Sequence, residues 1–382
     1  MNGAASTLAD LARFERRALI AGAAALALCV PGMLADPAQM LRSYLVAYLF
    51  WMGIALGCFA LLMLHHMVGG GWGAVIRRLL ESGTRTLPLM ALLLAPVLLN
   101  LPKLYLWARP EVVSHDEVLL HKTAYLNVPF FLGRTAFYFA VWLALAWLLN
   151  RWSAEQDRAG IAAARSRLQA ISAPGLLLFG LTVTFASIDW VMSLEPHWYS
   201  TIYGVIFMVG SALSTLAFVV IMLMLLSTRR PMSDTLRASH FHDLGNLMLA
   251  FVMLWAYTSL SQFLIIWMGN LPEETPWYLT RLNGGWGWVA AALVLFHFAL
   301  PFLLLLAREN KRRVRVLAGL AVAMLAIRLA DIFWVVAPAF HEEHLKVHWL
   351  DLIAPVGVGG LWFAYFLRQL RSRPLEPLEG SL

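Results

Sequence analysis

Cysteine is nearly absent from the 382-residue sequence: Cys29 and Cys58 are the only two, and both lie inside apolar stretches. Two thiols so placed exclude a disulfide framework, a CxxC redox pair and a thiolate metal site, and read as small packing residues. Charge is scarce too. Asp, Glu, Lys and Arg make up 13% of the chain, about half the roughly 25% of a soluble domain, while 60% is hydrophobic and the mean hydropathy is +0.70. This balance excludes an ordinary soluble enzyme. No Walker loop, strand-borne GxGxxG or HExxH occurs, so nucleotide-binding and zinc-protease chemistry have no support.

What the sequence does contain is long apolar runs. Ten come close to or exceed the ~20 residues of a bilayer crossing: 18–35, 43–68, 86–107, 129–150, 172–194, 199–227, 244–269, 284–307, 314–338 and 348–370. Pro31, Pro88, Pro96 and Pro102 read as kinks rather than ends, because neighbouring helices can satisfy the freed carbonyls. The expectation is an all-α integral membrane protein of about ten transmembrane helices in one polytopic domain. The first run is the weakest and has the basic start of a signal peptide. Its end, Met33-Leu34-Ala35, lacks a small residue three before a cut, and Pro31 and Pro37 flank it, so a retained helix is expected.

The net charge is +7 with a pI near 9.6, which would suit nucleic acid if the basic residues formed a patch. They sit in loops instead. Arg13, Arg16 and Arg17; Arg77, Arg78 and Arg85; Arg151, Arg158, Arg165 and Arg167; Arg229, Arg230 and Arg237; Arg308, Lys311, Arg312, Arg313 and Arg315; and Arg368, Arg371 and Arg373 occupy one alternating set of connections, twenty-one in all. The other set holds five: Arg42, Arg109, Lys122, Arg281 and Lys346. By the positive-inside rule both termini are expected in the cytoplasm, which requires an even number of crossings. No nucleic-acid partner is expected. The sparsely basic side carries acids and aromatics, among them Glu111, Asp116 and Glu117, Glu195 to Tyr199, Glu273 to Tyr278, and Glu342 to Trp349, much of it an interfacial belt. Its loops are too short for a catalytic domain, so soluble chemistry would come from docking partners.

Polar groups at membrane depth are the default functional candidates, since a charge in lipid is costly. Arg328 and Asp331 stand three apart on the ninth run, a spacing that allows an internal salt bridge. The pair reads either as a bridge orienting its helix or as a proton or quinone-headgroup station. Asp189, Glu195, His197, Arg134 and Lys103 fall near one outer depth. They suit a quinol headgroup or outer proton exit, which needs proton acceptors and a donor, and equally suit interhelical pairing. On the inner side His65 and His66, and His242 and Asp243 beside His240, could open a proton path, or be ordinary interfacial residues. His297 is the one histidine deep in a helix; without a mid-membrane His opposite, haem ligation is disfavoured. Gly53 and Gly57 form a GxxxG read as close helix packing. No metal site is expected.

Four segments carry a family resemblance: "SIDWVMSLEPHWYSTIYGVIFMVG" (187–210), "LGNLMLAFVMLWAYTSLSQFLIIWMGNLPEETPWYL" (244–279), "GGWGWVAAALVLFHFALPFLLLL" (284–306) and "HKTAYLNVPFFLGRTAFYFAVW" (121–142). With Asp189, Glu195, His197, Gln262, Asn270 and Glu273 in order, the chain resembles the ActF family, the NrfD/PsrC-like "quinone-binding subunit 2" of bacterial alternative complex III. The resemblance implies two four-helix bundles, 43–194 and 199–338, flanked by a peripheral first helix, 18–42, and a last helix, 348–370, with cytoplasmic ends at 1–17 and 371–382. A parallel repeat agrees with Leu126-Asn127 before the fourth run and Leu282-Asn283 before the eighth. It further implies a quinol:cytochrome c oxidoreductase of the bacterial inner membrane, with quinone or quinol as ligand. Haem c and iron–sulfur clusters would reside in partner subunits beside a sister NrfD-like membrane subunit. This chain is then a non-redox subunit, not catalytic alone. A different class, a stand-alone secondary transporter with an intramembrane charged coupling site at Arg328, Asp331, Asp189 and His297, is the alternative.

Overall fold

The computed structural model describes residues 2–159 and 161–375, and every regular element among them is helical. In chain order the main helices are α1 (Asn2–Ala35), α2 (Pro37–Val68), α3 (Gly71–Thr84), α4 (Leu87–Leu93), α5 (Val128–Ala159), α6 (Ile161–Trp190), α7 (Tyr203–Leu226), α8 (Ala238–Gly269), α9 (Thr275–Leu282), α10 (Trp286–Leu306), α11 (Val314–Val336) and α12 (Leu350–Arg371). Among the described residues nine are long and apolar enough to cross a membrane, the exceptions being α3, α4 and α9. The protein is a multi-pass, all-helical membrane protein.

The count differs from the expected ten at one place. Residues 86–107 form no continuous helix: α4 is followed by single turns at Ala95–Leu98 and Leu101–Leu104 and a 3-10 turn at Leu106–Ala108. Each of the first three pieces opens on a proline, Pro88, Pro96 and Pro102. Proline lacks an N–H and its ring clashes with the carbonyl four residues back, so interruptions this close together leave no intact ladder between them. The prolines act as ends here, not kinks. The segment still runs the length of the α5–α6 pair. At one end Asn150 of α5 donates to Thr84 Oγ1 and accepts from Arg85 Nε, and at the other Tyr105 and Trp107 donate to Trp190 O and Ser193 Oγ beyond α6.

α2 is apolar all round and buried nearly throughout, as a helix enclosed by others must be. It packs closely against α12 as well as α7. A Cβ on Gly57 would fall 2.2 Å from Thr215 Oγ1 and 2.3 Å from Ser211 O, so only glycine allows the two backbones this near approach. Thr215 Oγ1 in turn donates to Ile54 O at 2.9 Å. The GxxxG is therefore a packing seam, the kind of small-residue contact that holds helices together where lipid supplies no hydrophobic drive.

α1 lies antiparallel along α12, with Gly32 beside Leu350 at one end and Arg371 donating to Glu15 at 2.5 Å at the other. The first and last described turns thus meet on one face. The alternating basic connections gather there too: Arg77 and Arg78 pair with Asp157, Arg229 with Asp10, and Lys311 donates to Asn246 near the start of α8. The acidic connections meet at the opposite end, where His197 pairs with Asp116, Glu195 with Arg281, and Ser43 donates to Asp351.

Candidate functional site

The deepest polar group is built by α7, α8, α10 and α11. Spacing of three on α11 brings Arg328 Nη1 onto the Asp331 carboxylate within one helix face, and both residues are buried. The guanidinium lies over Gly210 of α7, where a Cβ would sit 2.3 Å from Cζ; a bare backbone at this position makes the room. From α10, His297 brings Nδ1 to 3.9 Å from Asp331 Oδ2, and its ring lies 4.1 Å from that of Trp255 on α8.

His297 occupies a π turn, Val294–Ala299, inside α10. The cause is four residues on. Pro301 has no N–H to give the His297 carbonyl and its ring crowds it, so the helix widens and Leu300 N–H reaches back five residues to Leu295 O. The imidazole is fully enclosed, yet among the described residues neither ring nitrogen has a hydrogen-bond partner, nor do the indole nitrogens of Trp255 and Trp334 packed around the same small core. Buried polar atoms are rarely left unsatisfied, and those that are mark strain, chemistry or a place for water.

Towards the end where the acidic connections meet, a second charge pair follows. Arg281 of α9 is fully buried and donates from Nη1 and Nη2 to the Glu195 carboxylate at 3.1 and 2.5 Å, and also to Val335 O at 2.7 Å. Its guanidinium stacks 3.7 Å over Trp277, which meets Trp334 edge-on. Tyr203, buried at the head of α7, is within electrostatic reach of both this pair and Arg328–Asp331. Sequence reading places Arg281 only as a loop charge, and nothing in its local spacing points 86 residues back to Glu195.

The five outer candidates do not form one ring. Arg134 and Asp189 do meet: Nε and Nη2 donate to both carboxylate oxygens at 2.9 and 2.8 Å, Tyr138 adds a hydroxyl at 2.7 Å, and Tyr125 and Phe130, perpendicular to each other, both lie against the guanidinium. Asp189 is fully buried with both oxygens engaged, a clasp between α5 and α6. Glu195 belongs to Arg281. His197 is half exposed and pairs with Asp116 at 2.7 Å. Asp116 also caps the following turn, and the Leu119 N–H, then His197, hold its carboxyl below the ordinary range. Lys103 is exposed and makes no ion pair among the described residues.

On the basic face the two histidine pairs keep separate neighbours. His65 lies tilted against His66 and meets Trp72 edge to face, while His242 lies 3.5 Å from Asp243 and 3.4 Å from Asn246. The strongest cluster at that face is one that sequence reading passes over. Glu81 of α3 accepts from Arg77 Nε and Arg78 Nη1, both at 2.8 Å, from Ser153 at 2.5 Å and from Arg373 at 3.3 Å. Burial would raise its carboxyl, but Arg77 and Arg78, aided by Ser153 and Arg373, hold it well below the usual carboxylate range. The i, i+3 and i, i+4 spacing of Arg78 and Arg77 to Glu81 is the signal that could have revealed it. Among the described residues no three His, Cys, Asp or Glu side chains converge as a metal site would require. No family model matches the sequence, and a comparison with curated proteins finds no match.

Proposed function

We propose that the chain is a non-redox integral membrane subunit of a respiratory quinol:cytochrome c oxidoreductase of the alternative complex III type, an ActF-like, NrfD/PsrC-like protein of the bacterial inner membrane. In this reading both termini are cytoplasmic. The interrupted segment 87–108 is the tenth crossing, and two four-helix bundles, 43–194 and 199–338, are flanked by α1 and α12. The basic connections gathered where α1 starts and α12 ends support that orientation. Iron–sulfur clusters and c-type haems reside in partner subunits, and a sister NrfD-like subunit beside the iron–sulfur protein oxidises the quinol. This chain contributes anchorage in lipid, a docking face and a proton route.

The observation that carries the proton route is His297: an enclosed imidazole with both nitrogens unengaged, set by a π turn beside Asp331. A neutral imidazole can accept a proton on one nitrogen and release one from the other, and a carboxylate nearby stabilises the cation between those events. Tyr203, the Glu195–Arg281 pair and then the outer face lie beyond it. The saturated Arg134–Asp189–Tyr138 clasp supports structure rather than headgroup binding.

Affinity purification of the tagged chain under mild detergent tests the assignment. Haem c and iron–sulfur subunits should co-purify with quinol:cytochrome c activity; recovery as a stable, cofactor-free single protein would sink it. The interrupted segment and the π turn favour one second reading, a secondary transporter with its coupling site at Arg328, Asp331, Asp189 and His297. Solute-driven proton uptake by the isolated chain in proteoliposomes would establish that reading instead.

A further inference from the structure

At the basic face a cleft of about 400 Å³ opens between the start of α4, α5 and the last turns of α12. Its inner end is polar. Arg85 and Arg373 line it, with Arg151 also on the wall. Towards the lipid the wall is Pro88, Leu143 and Ala146, and Trp147, 58% exposed, stands under the Arg151 guanidinium at 5.3 Å. An exposed tryptophan beside an arginine marks the headgroup level of a bilayer.

The charges here do not balance. Among the described residues, four arginines gather here, Arg77, Arg78, Arg85 and Arg373, and the two carboxylates among them, Glu81 and Asp157, pair with the other three but not with Arg85, which leaves an excess of two positive charges. Arg77 and Arg78 take both acids. Arg373 reaches only the outer side of Glu81 at 3.3 Å and the Asn150 carbonyl at 2.8 Å. Among the described residues Arg85 has neutral partners alone: Asn150 Oδ1 at 2.9 Å and Ser372 Oγ at 3.0 Å. Among the described residues, half-exposed Glu155 lies against Arg151 and Arg167 at 3.6 and 3.4 Å. Burial, and then the neighbouring Arg373 charge, draw the Arg85 guanidinium down to about 10, only partly opposed by Glu81.

We propose that this cleft binds the headgroup phosphate of an anionic phospholipid from the adjacent leaflet, with Arg85 and Arg373 as donors, Arg151 at the mouth and the acyl chains along Leu143, Ala146 and Pro88. A guanidinium fork matches phosphate oxygens two at a time, and an anion here completes the pairing that the protein's own carboxylates leave open. The apolar outer wall selects a lipid over a soluble anion. Basic hollows between helices at the positively charged face are where anionic headgroups lodge.

The test is native mass spectrometry of the detergent-purified protein, in whatever assembly it is isolated, after delipidation and addition of phosphatidylglycerol, cardiolipin, phosphatidylcholine or inorganic phosphate. Phosphatidylglycerol or cardiolipin should be retained at least tenfold better than phosphatidylcholine, and inorganic phosphate at millimolar levels should not displace them. Arg85→Gln should remove that preference and Arg85→Lys should keep part of it, while Arg13→Gln, an exposed residue of the same face, should change nothing. Arg85 makes no ion pair, so its variants are expected to fold, and the lipid comparison on the unaltered protein needs no variant. Equal retention of charged and zwitterionic lipid, displacement by free phosphate, an unaltered preference in Arg85→Gln, or a partner-protein segment cross-linked into the cleft would each overturn the proposal.

Discussion

His297 stands with Nδ1 3.9 Å from Asp331 Oδ2 across the α10–α11 interface, and Arg328 Nη1 donates to that same carboxylate oxygen. At that distance no hydrogen bond forms. The imidazole therefore bears the cost of burial without compensation, about 1–3 kcal/mol for each unsatisfied group. His297→Phe keeps a ring against Trp255 and deletes both orphaned nitrogens, so the melting temperature should hold or rise. Proton release per electron in the assembled complex should fall, with electron flow unchanged. A lower Tm with normal proton release would make His297 a structural residue only.

Asp331→Asn attacks the same group from its other side. It leaves the Arg328 guanidinium buried without a counter-charge, which typically costs about 3–5 kcal/mol, and Gly210 behind it offers no polar atom of a side chain to turn to. The double variant Arg328→Met with Asp331→Leu should recover most of that loss, because a buried pair is worth far less than the penalty for breaking it. Thermal melting of the unaltered protein, the single variants Arg328→Met and Asp331→Leu and the double variant gives the coupling energy. Recovered stability combined with lost proton release would separate the pair's two roles.

Glu81 supplies a pH signature. Its folded-state carboxyl lies well below the unfolded value of 4.5, so its contribution is complete above about pH 4.5 and drains away as pH falls through the folded value. Tm should be flat in this respect from pH 8 to 5 and drop on further acidification. Glu81→Gln should be destabilised at neutral pH by roughly 3–5 kcal/mol, since two arginines lose a shared partner, and should lack most of the acid-side slope. An unchanged slope would place the acid sensitivity elsewhere.

What the sequence reveals of this molecule is whatever is local along the chain. Nine of the ten apolar runs are continuous helices, and Arg328–Asp331 is readable because a spacing of three sets it on one helix face. The interrupted segment is misread because whether a proline kinks or ends a helix depends on the distance to the next one, and Pro88, Pro96 and Pro102 leave no full ladder between them. Glu81 lies in a polar stretch that looks like a loop, and only tertiary packing shows that α3 is enclosed by α2, α5 and the end of α12. Arg281 and Glu195, separated by 86 residues, carry no periodicity that could join them. Basic and acidic connections do gather at opposite ends of the bundle, but partner choice among groups at one end depends on which helices adjoin.

That difference between depth and partnership can be measured at Arg281 and His197, two residues of the same outer face. Arg281 is fully buried, forks onto Glu195, stacks on Trp277 and ties α9 to the end of α11 through Val335 O. A lysine keeps the charge but loses the second hydrogen bond and the planar stack, so Arg281→Lys should already lower stability by about 1–3 kcal/mol. Arg281→Ala should cost more, because it also strands Glu195. His197 is half exposed and its Asp116 pair is open to water and salt, so His197→Ala should leave Tm unchanged, as exposed ion pairs usually do. Melting curves of the three variants at 0.1 and 1 M salt would show the contrast: the Arg281 losses should persist in high salt, where screening leaves buried pairs nearly intact. A large, salt-sensitive loss at His197, or none at Arg281, would reverse the assignment of which outer charge holds the fold.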